Sequence, residues 1–247
     1  MLTVIGSYLS PYVRKVLMAL HHKGLAYQID PIVPFYGNET FERLSPLRRV
    51  PLLLDGDLVV NDSSVICAYL DERYPDPPLL PASPAQRAQA RWLEEFADAR
   101  LGEVVTWHLF NQLVIRRFVW GEPPDAAAVA KARDVELPRA LDYLETQWPP
   151  SGFLFGELGL ADMAVAAFFR NAEFVQWRID AERWPRSATW VRAVLEHPVA
   201  SRLRRYEDLC LRTPIPRHRQ ALLEAGAPIA GVTYGVDKPR RGLMKID

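Results

Sequence analysis

Apolar positions along the chain change period three times within the first eighty residues. Leu2 to Ile5 is a short apolar run that reads as a buried strand. Val13, Val16, Leu17 and Leu20 then recur at i, i+3, i+4 and i+7, one face of a helix predicted over residues 11 to 23 and ended by Gly24. Ala26 to Val33 alternates weakly, as a second strand would. Pro34 to Leu44 reads as a loop followed by a short helix. Val50 to Val60 places two apolar runs around Asp55-Gly56, a hairpin signal, with Pro51 opening the first strand. Asn61-Asp62-Ser63-Ser64 offers caps for a further helix with Val65, Ile66, Tyr69 and Leu70 on its apolar face, stopped by Pro75. Strand, helix, strand, hairpin and helix in this order predict a small α/β domain.

Five prolines between residues 75 and 84 read as a semi-rigid linker. Beyond it the period is helical only. Ser83-Pro84-Ala85-Gln86 opens a long helix carrying Leu93, Phe96, Ala97, Leu101 and Val104, bent at Gly102. More helices are expected at 125–147, 160–175, 187–196 and 198–211. The expected division is an α/β domain at 1–78, an all-helical domain at 79–213 and an irregular basic tail at 214–247, draped over its own domain or serving as a partner contact or lid.

Composition narrows the chemistry. Hydrophobic residues make up 49% and charged residues 24%, the balance of an ordinary globular chain. Thirty basic and thirty acidic residues cancel, so no global field draws nucleic acid or an anionic membrane. No apolar segment approaches the length of a membrane span, and the first residues lack the charged-then-apolar pattern, so no signal peptide is expected there. Cys67 and Cys210 form no CxxC pair, and the five histidines show no metal spacing, so a cytoplasmic setting without a metal site is expected.

Ser10-Pro11-Tyr12 holds the first candidate chemistry. Ser10 is placed as N-cap before a Pro at the first helical position, where free N–H groups and the helix dipole favour an anion. A plain cap and an anion-binding hydroxyl are both compatible with this junction, and Ser7 and Tyr8 are neighbouring hydroxyls.

The order of elements together with Ser10-Pro11-Tyr12, Val50-Pro51 and Asp62-Ser63 resembles the glutathione S-transferase family, over residues 1 to about 210. The resemblance implies a thioredoxin-like α/β N-terminal domain followed by an all-α domain. It also implies glutathione as co-substrate, a small hydrophobic electrophile and a homodimer. Ser10 would then donate a hydrogen bond to the glutathione thiolate. Lowering a thiol pKa by about two units takes roughly 2.7 kcal/mol, which a helix terminus and a hydrogen bond to a charged group supply together. Pro51 would follow a cis bond, exposing the Val50 backbone to the cysteinyl part, and Asp62 and Ser63 would take the γ-glutamyl end.

Where the family reads Asn-Pro-x-Gly-Lys, this chain has Ser45-Pro46-Leu47-Arg48-Arg49. A cation is kept for the glycyl carboxylate, Arg49 or its neighbour Arg48. Phe153 to Met163 resembles the family's folding motif, with Asp162 at N3 and Gly159 where Ser or Thr is usual. Tyr12, Trp107, Phe110 and Trp177 are candidates for lining an electrophile site. The rival reading is a non-catalytic member serving as an interaction or regulatory module.

Overall fold

The computed structural model describes residues 1–241. The chain divides into two compact units. One joins Met1–Pro77 to the residues from Val199 onward, and the other is Pro78–Pro198.

The first unit is built on four strands, β1 (Leu2–Ile5), β2 (Tyr27–Asp30), β3 (Leu52–Asp55) and β4 (Leu58–Asn61), in the order β2-β1-β3-β4. β1 runs parallel to β2 and antiparallel to β3, while β3 and β4 form the hairpin announced by Asp55-Gly56. In register, Val4 lies opposite both Ile29 and Leu53. Helix α1 (Pro11–His22) and the short α2 (Glu39–Leu44) frame β2 in sequence, and α3 (Ser63–Arg73) follows the hairpin and packs on α1. Ile5, Ile32, Phe41 and Leu52 form a buried cluster under this sheet.

The second unit is all helical: α4 (Pro84–Phe96) running into a π-helical stretch (Ala97–Trp120), α5 (Ala126–Lys131) with a π-helical turn (Ala132–Glu136), α6 (Leu137–Glu145), α7 (Leu160–Phe174) and α8 (Pro185–Glu196). Helix α7 is its axis, buried at every position from Leu160 to Ala172. Its start is held by Asp162, which accepts from the Gly159 N–H at 3.0 Å, the Leu154 N–H at 3.1 Å and the Trp190 indole N–H at 3.0 Å. Gly159 fits because a Cβ there would lie 3.1 Å from the Leu79 carbonyl, which already accepts the Leu160 N–H at 2.8 Å.

Burial pushes the Asp162 carboxyl up to about 6. The folded chain therefore holds this proton more tightly than the unfolded chain does. The stability it contributes is present below the ordinary Asp range and lost as pH rises through about 6. Urea unfolding across pH 4 to 8 is expected to show wild type gaining on Asp162→Asn as the solution is acidified, by up to about 3 kcal/mol. A gap independent of pH would contradict this.

After Pro198 the chain departs from the expected division. Short α9 (Pro198–Ser201), α10 (Arg204–Arg212) and α11 (His218–Glu224) do not extend the helical unit. Helix α10 packs into the first unit through a buried ion pair, Glu207 Oε1 to Arg14 Nε at 2.6 Å. The stretch expected to be irregular carries α11 and then pairs with β2, with Ile229 opposite Ile29 in parallel. Residues 242–247 of the expected tail lie outside the described residues.

Candidate functional site

Ser10 is the N-cap of α1, with extended backbone (φ −80°, ψ 126°) and Pro11 at the first helical position. Its Oγ accepts the Val13 N–H at 3.3 Å. A hydroxyl that accepts on one side still has its own hydrogen to donate on the other. Ser10 is partly exposed, whereas the two rival hydroxyls turn inward. Ser7 is 3% exposed and its Oγ accepts the Leu9 N–H at 3.2 Å. Tyr8 is 1% exposed against the Tyr206 ring, 5.2 Å between centroids, and burial, then the neighbouring Tyr27, raises its phenol.

Val50–Pro51 is a cis peptide. Among the described residues, neither backbone polar group of Val50 has a partner. Gly6 explains how this peptide comes to lie against the start of α1. With φ +150°, in a region that is essentially glycine's, it leaves β1 so closely packed that an added Cβ would fall 2.5 Å from Val13 Cγ2 and 3.0 Å from Val50 Cβ. The helix start and the Val50–Pro51 peptide thus rest on one glycine.

The third corner is the start of α3. Asp62 caps it from a positive φ of 75°, its Oδ1 accepting the Ser64 N–H at 2.8 Å and the Val65 N–H at 3.3 Å. Ser63 follows at the first helical position, and among the described residues neither its N–H nor its hydroxyl has a partner. Lys15, buried in α1, donates to Ser64 Oγ at 3.0 Å and ties the two helix starts together.

The loop between α2 and Val50 separates its two cations. Arg48 takes the left-handed backbone (φ 53°) at the position where the family has Gly, and its Nη2 lies 3.3 Å from Glu42 Oε2. Such a conformation costs a non-glycine residue about 1–2 kcal/mol, so side-chain contacts have to hold it. Ser45 closes the loop by accepting the Arg49 N–H at 3.0 Å and donating to the Arg49 carbonyl at 2.9 Å. The Arg49 guanidinium is exposed and, among the described residues, has no acidic partner.

Sequence reasoning named Ser10, Arg49, Val50, Pro51, Asp62 and Ser63. It missed Gly6, Lys15 and Glu42, which arrange them. Gly6, directly after a strand and before a cap, was the one signal of the three open to reading. Of the electrophile candidates, Phe110 is 5% exposed and packs on Phe174 at 6.2 Å, so it belongs to the core of the helical unit. Tyr12, Trp107 and Trp177 keep partial exposure. Both cysteines are buried, and burial pushes the Cys210 thiol up to about 12.

Comparison with known proteins places the fold. The family model for the glutathione S-transferase N-terminal domain matches residues 4–78, and that for the C-terminal domain matches residues 126–193. Glutathione S-transferase Z2 of Arabidopsis thaliana is 44% identical over 77 residues, 30% of this chain and 34% of that protein. A stringent starvation protein A homolog of Haemophilus ducreyi is 41% identical over 80 residues, 32% of this chain and 37% of that protein. These matches span about a third of the relatives' own length. The solved glutathione S-transferase from Rhodospirillum rubrum F11 superposes with a TM-score of 0.76 at 29% identity, over 82% of this chain and 91% of that one. The chain belongs to the glutathione S-transferase family.

Proposed function

We propose that this chain is a glutathione transferase acting as a homodimer in the cytoplasm. Ser10 Oγ donates a hydrogen bond to the glutathione thiolate. The Val50 N–H and C=O hold the cysteinyl part against cis Pro51. Ser63 and Asp62 take the γ-glutamyl carboxylate and ammonium, and Arg49 takes the glycyl carboxylate. The observation that carries this reading is the convergence on Gly6. A helix N-terminus whose capping hydroxyl is partly exposed lies beside a peptide whose backbone groups have no partner among the described residues.

The chemistry follows from that convergence. The thiol proton leaves to water, and the thiolate is held by the Ser10 hydroxyl and favoured by the positive end of the α1 dipole. Its sulfur lone pair attacks a small hydrophobic electrophile, forming a thioether and expelling the leaving group or opening a strained ring. Serine supplies a hydrogen bond and no covalent intermediate forms on it.

Calorimetric titration with glutathione, followed by turnover against aryl halides, epoxides and activated alkenes, tests this reading. Binding between about 1 μM and 1 mM, with turnover of at least one class, is expected. No glutathione binding would overturn it. Binding without any turnover would favour the regulatory module, a reading kept in view by the similarity of residues near the N-terminus to stringent starvation protein A homologs.

A further inference from the structure

The C-terminal strap is fixed to the first unit by backbone bonds along its length. Ile29 N–H donates to Pro228 O at 2.8 Å and Ala230 N–H to Ile29 O at 2.9 Å, which extends the sheet beyond β2. Arg219 and the Tyr234 N–H both reach the buried Asp30 carboxylate, at 3.3 and 2.7 Å. Farther on, Asn38 N–H donates to Tyr234 O, Val236 N–H to Tyr36 O and Arg240 N–H to Phe35 O, each at 2.8 Å. This run delivers the Arg240 side chain to Glu42, with Nη1 2.8 Å from Oε1. Glu42 Oε2 is the oxygen that Arg48 approaches at 3.3 Å. One carboxylate on α2 therefore carries a cation from the strap and a cation from the loop that ends in Arg49 and Val50.

We propose that Arg240 is a positioning residue for the carboxylate end of the glutathione site, an inference that rests on the glutathione reading above. By occupying one oxygen of Glu42 it leaves the other to Arg48. Arg48 is thereby held in its left-handed conformation, and the Arg49 guanidinium stays available for a ligand carboxylate. Without Arg240, Glu42 draws on the loop cations, and its less balanced charge repels an incoming carboxylate.

The test uses full-length protein and two probes, glutathione and its glycyl monoester, which lacks that carboxylate. Arg240→Ala is expected to weaken glutathione binding about threefold and Arg240→Glu about tenfold, with the effect shrinking at high salt. Arg240→Lys should restore it. Monoester affinity and kcat should stay at the wild-type value, so the change appears in KM alone.

Equal loss for both probes, or a fall in kcat, would mean a general structural role and overturn the inference. So would unchanged glutathione affinity in Arg240→Glu. A wild type that binds neither probe would instead overturn the glutathione reading, and this inference with it.

Discussion

Ser10→Ala is expected to lower kcat/KM for conjugation by roughly tenfold to a hundredfold at neutral pH. The acid limb of its pH–rate profile should move up by about one to two units, because a hydrogen bond to a charged group is worth about 1.5–3 kcal/mol. The same substitution removes the oxygen that accepts the Val13 N–H, a cap loss of about 1 kcal/mol in stability. The two effects separate by measurement. Cap loss moves the urea midpoint and leaves the pH–rate profile in place, whereas loss of thiolate stabilisation displaces the profile. Ser10→Thr keeps both the cap and the hydroxyl and should stay near wild type in each assay. Neither neighbouring hydroxyl is placed to substitute, since Ser7 and Tyr8 are both buried, at 3% and 1% exposure. A Ser10→Ala enzyme with an unmoved profile would reduce Ser10 to a helix cap.

The parts of this fold that were legible are those written in local chemistry. Ser10-Pro11 marks the start of α1, Asp55-Gly56 the hairpin, and Asp62 and Asp162 the starts of α3 and α7, because caps and turns need particular residues within a few positions. The strap was not legible. A single residue bridged at a sheet edge gives no alternation, and the seven residues of α11 are too few to show a helical period.

The boundary at Pro198 was missed for a related reason. The spacing predicts a helix over 198–211, where the structure has α9 and α10 (Arg204–Arg212), but not which core receives it. Arg48 looked like the loss of a required glycine, yet the left-handed conformation persists at φ 53° with Glu42 beside it. Arg14 and Lys15 are charged residues on α1, yet each is 1% exposed. Their burial depends on partners far along the chain, which no local pattern encodes.

Arg14 is where that non-local dependence should be largest. Its Nε lies 2.6 Å from Glu207 Oε1, with both side chains almost wholly buried, and its Nη2 donates to the Tyr8 carbonyl at 3.3 Å. Arg14→Met leaves the Glu207 carboxylate without this partner, and removing one member of a buried pair costs about 3–5 kcal/mol. Against a total stability of about 5–15 kcal/mol, that is enough to unfold much of the population on modest heating.

The double variant Arg14→Met/Glu207→Leu removes both charges together, and a buried pair replaced by packed apolar groups is often neutral or better. It is expected to recover most of the lost midpoint in urea. If it stays as unstable as the single variant, the cost lies in the Tyr8 carbonyl contact and the shape of the site, not in an uncompensated charge. Tyr8 sits two positions before Ser10, so the pair also sets how firmly α10 braces the turn that presents the Ser10 hydroxyl. The double variant, refolded but lacking the guanidinium bond to Tyr8, should therefore regain stability more fully than it regains conjugation rate.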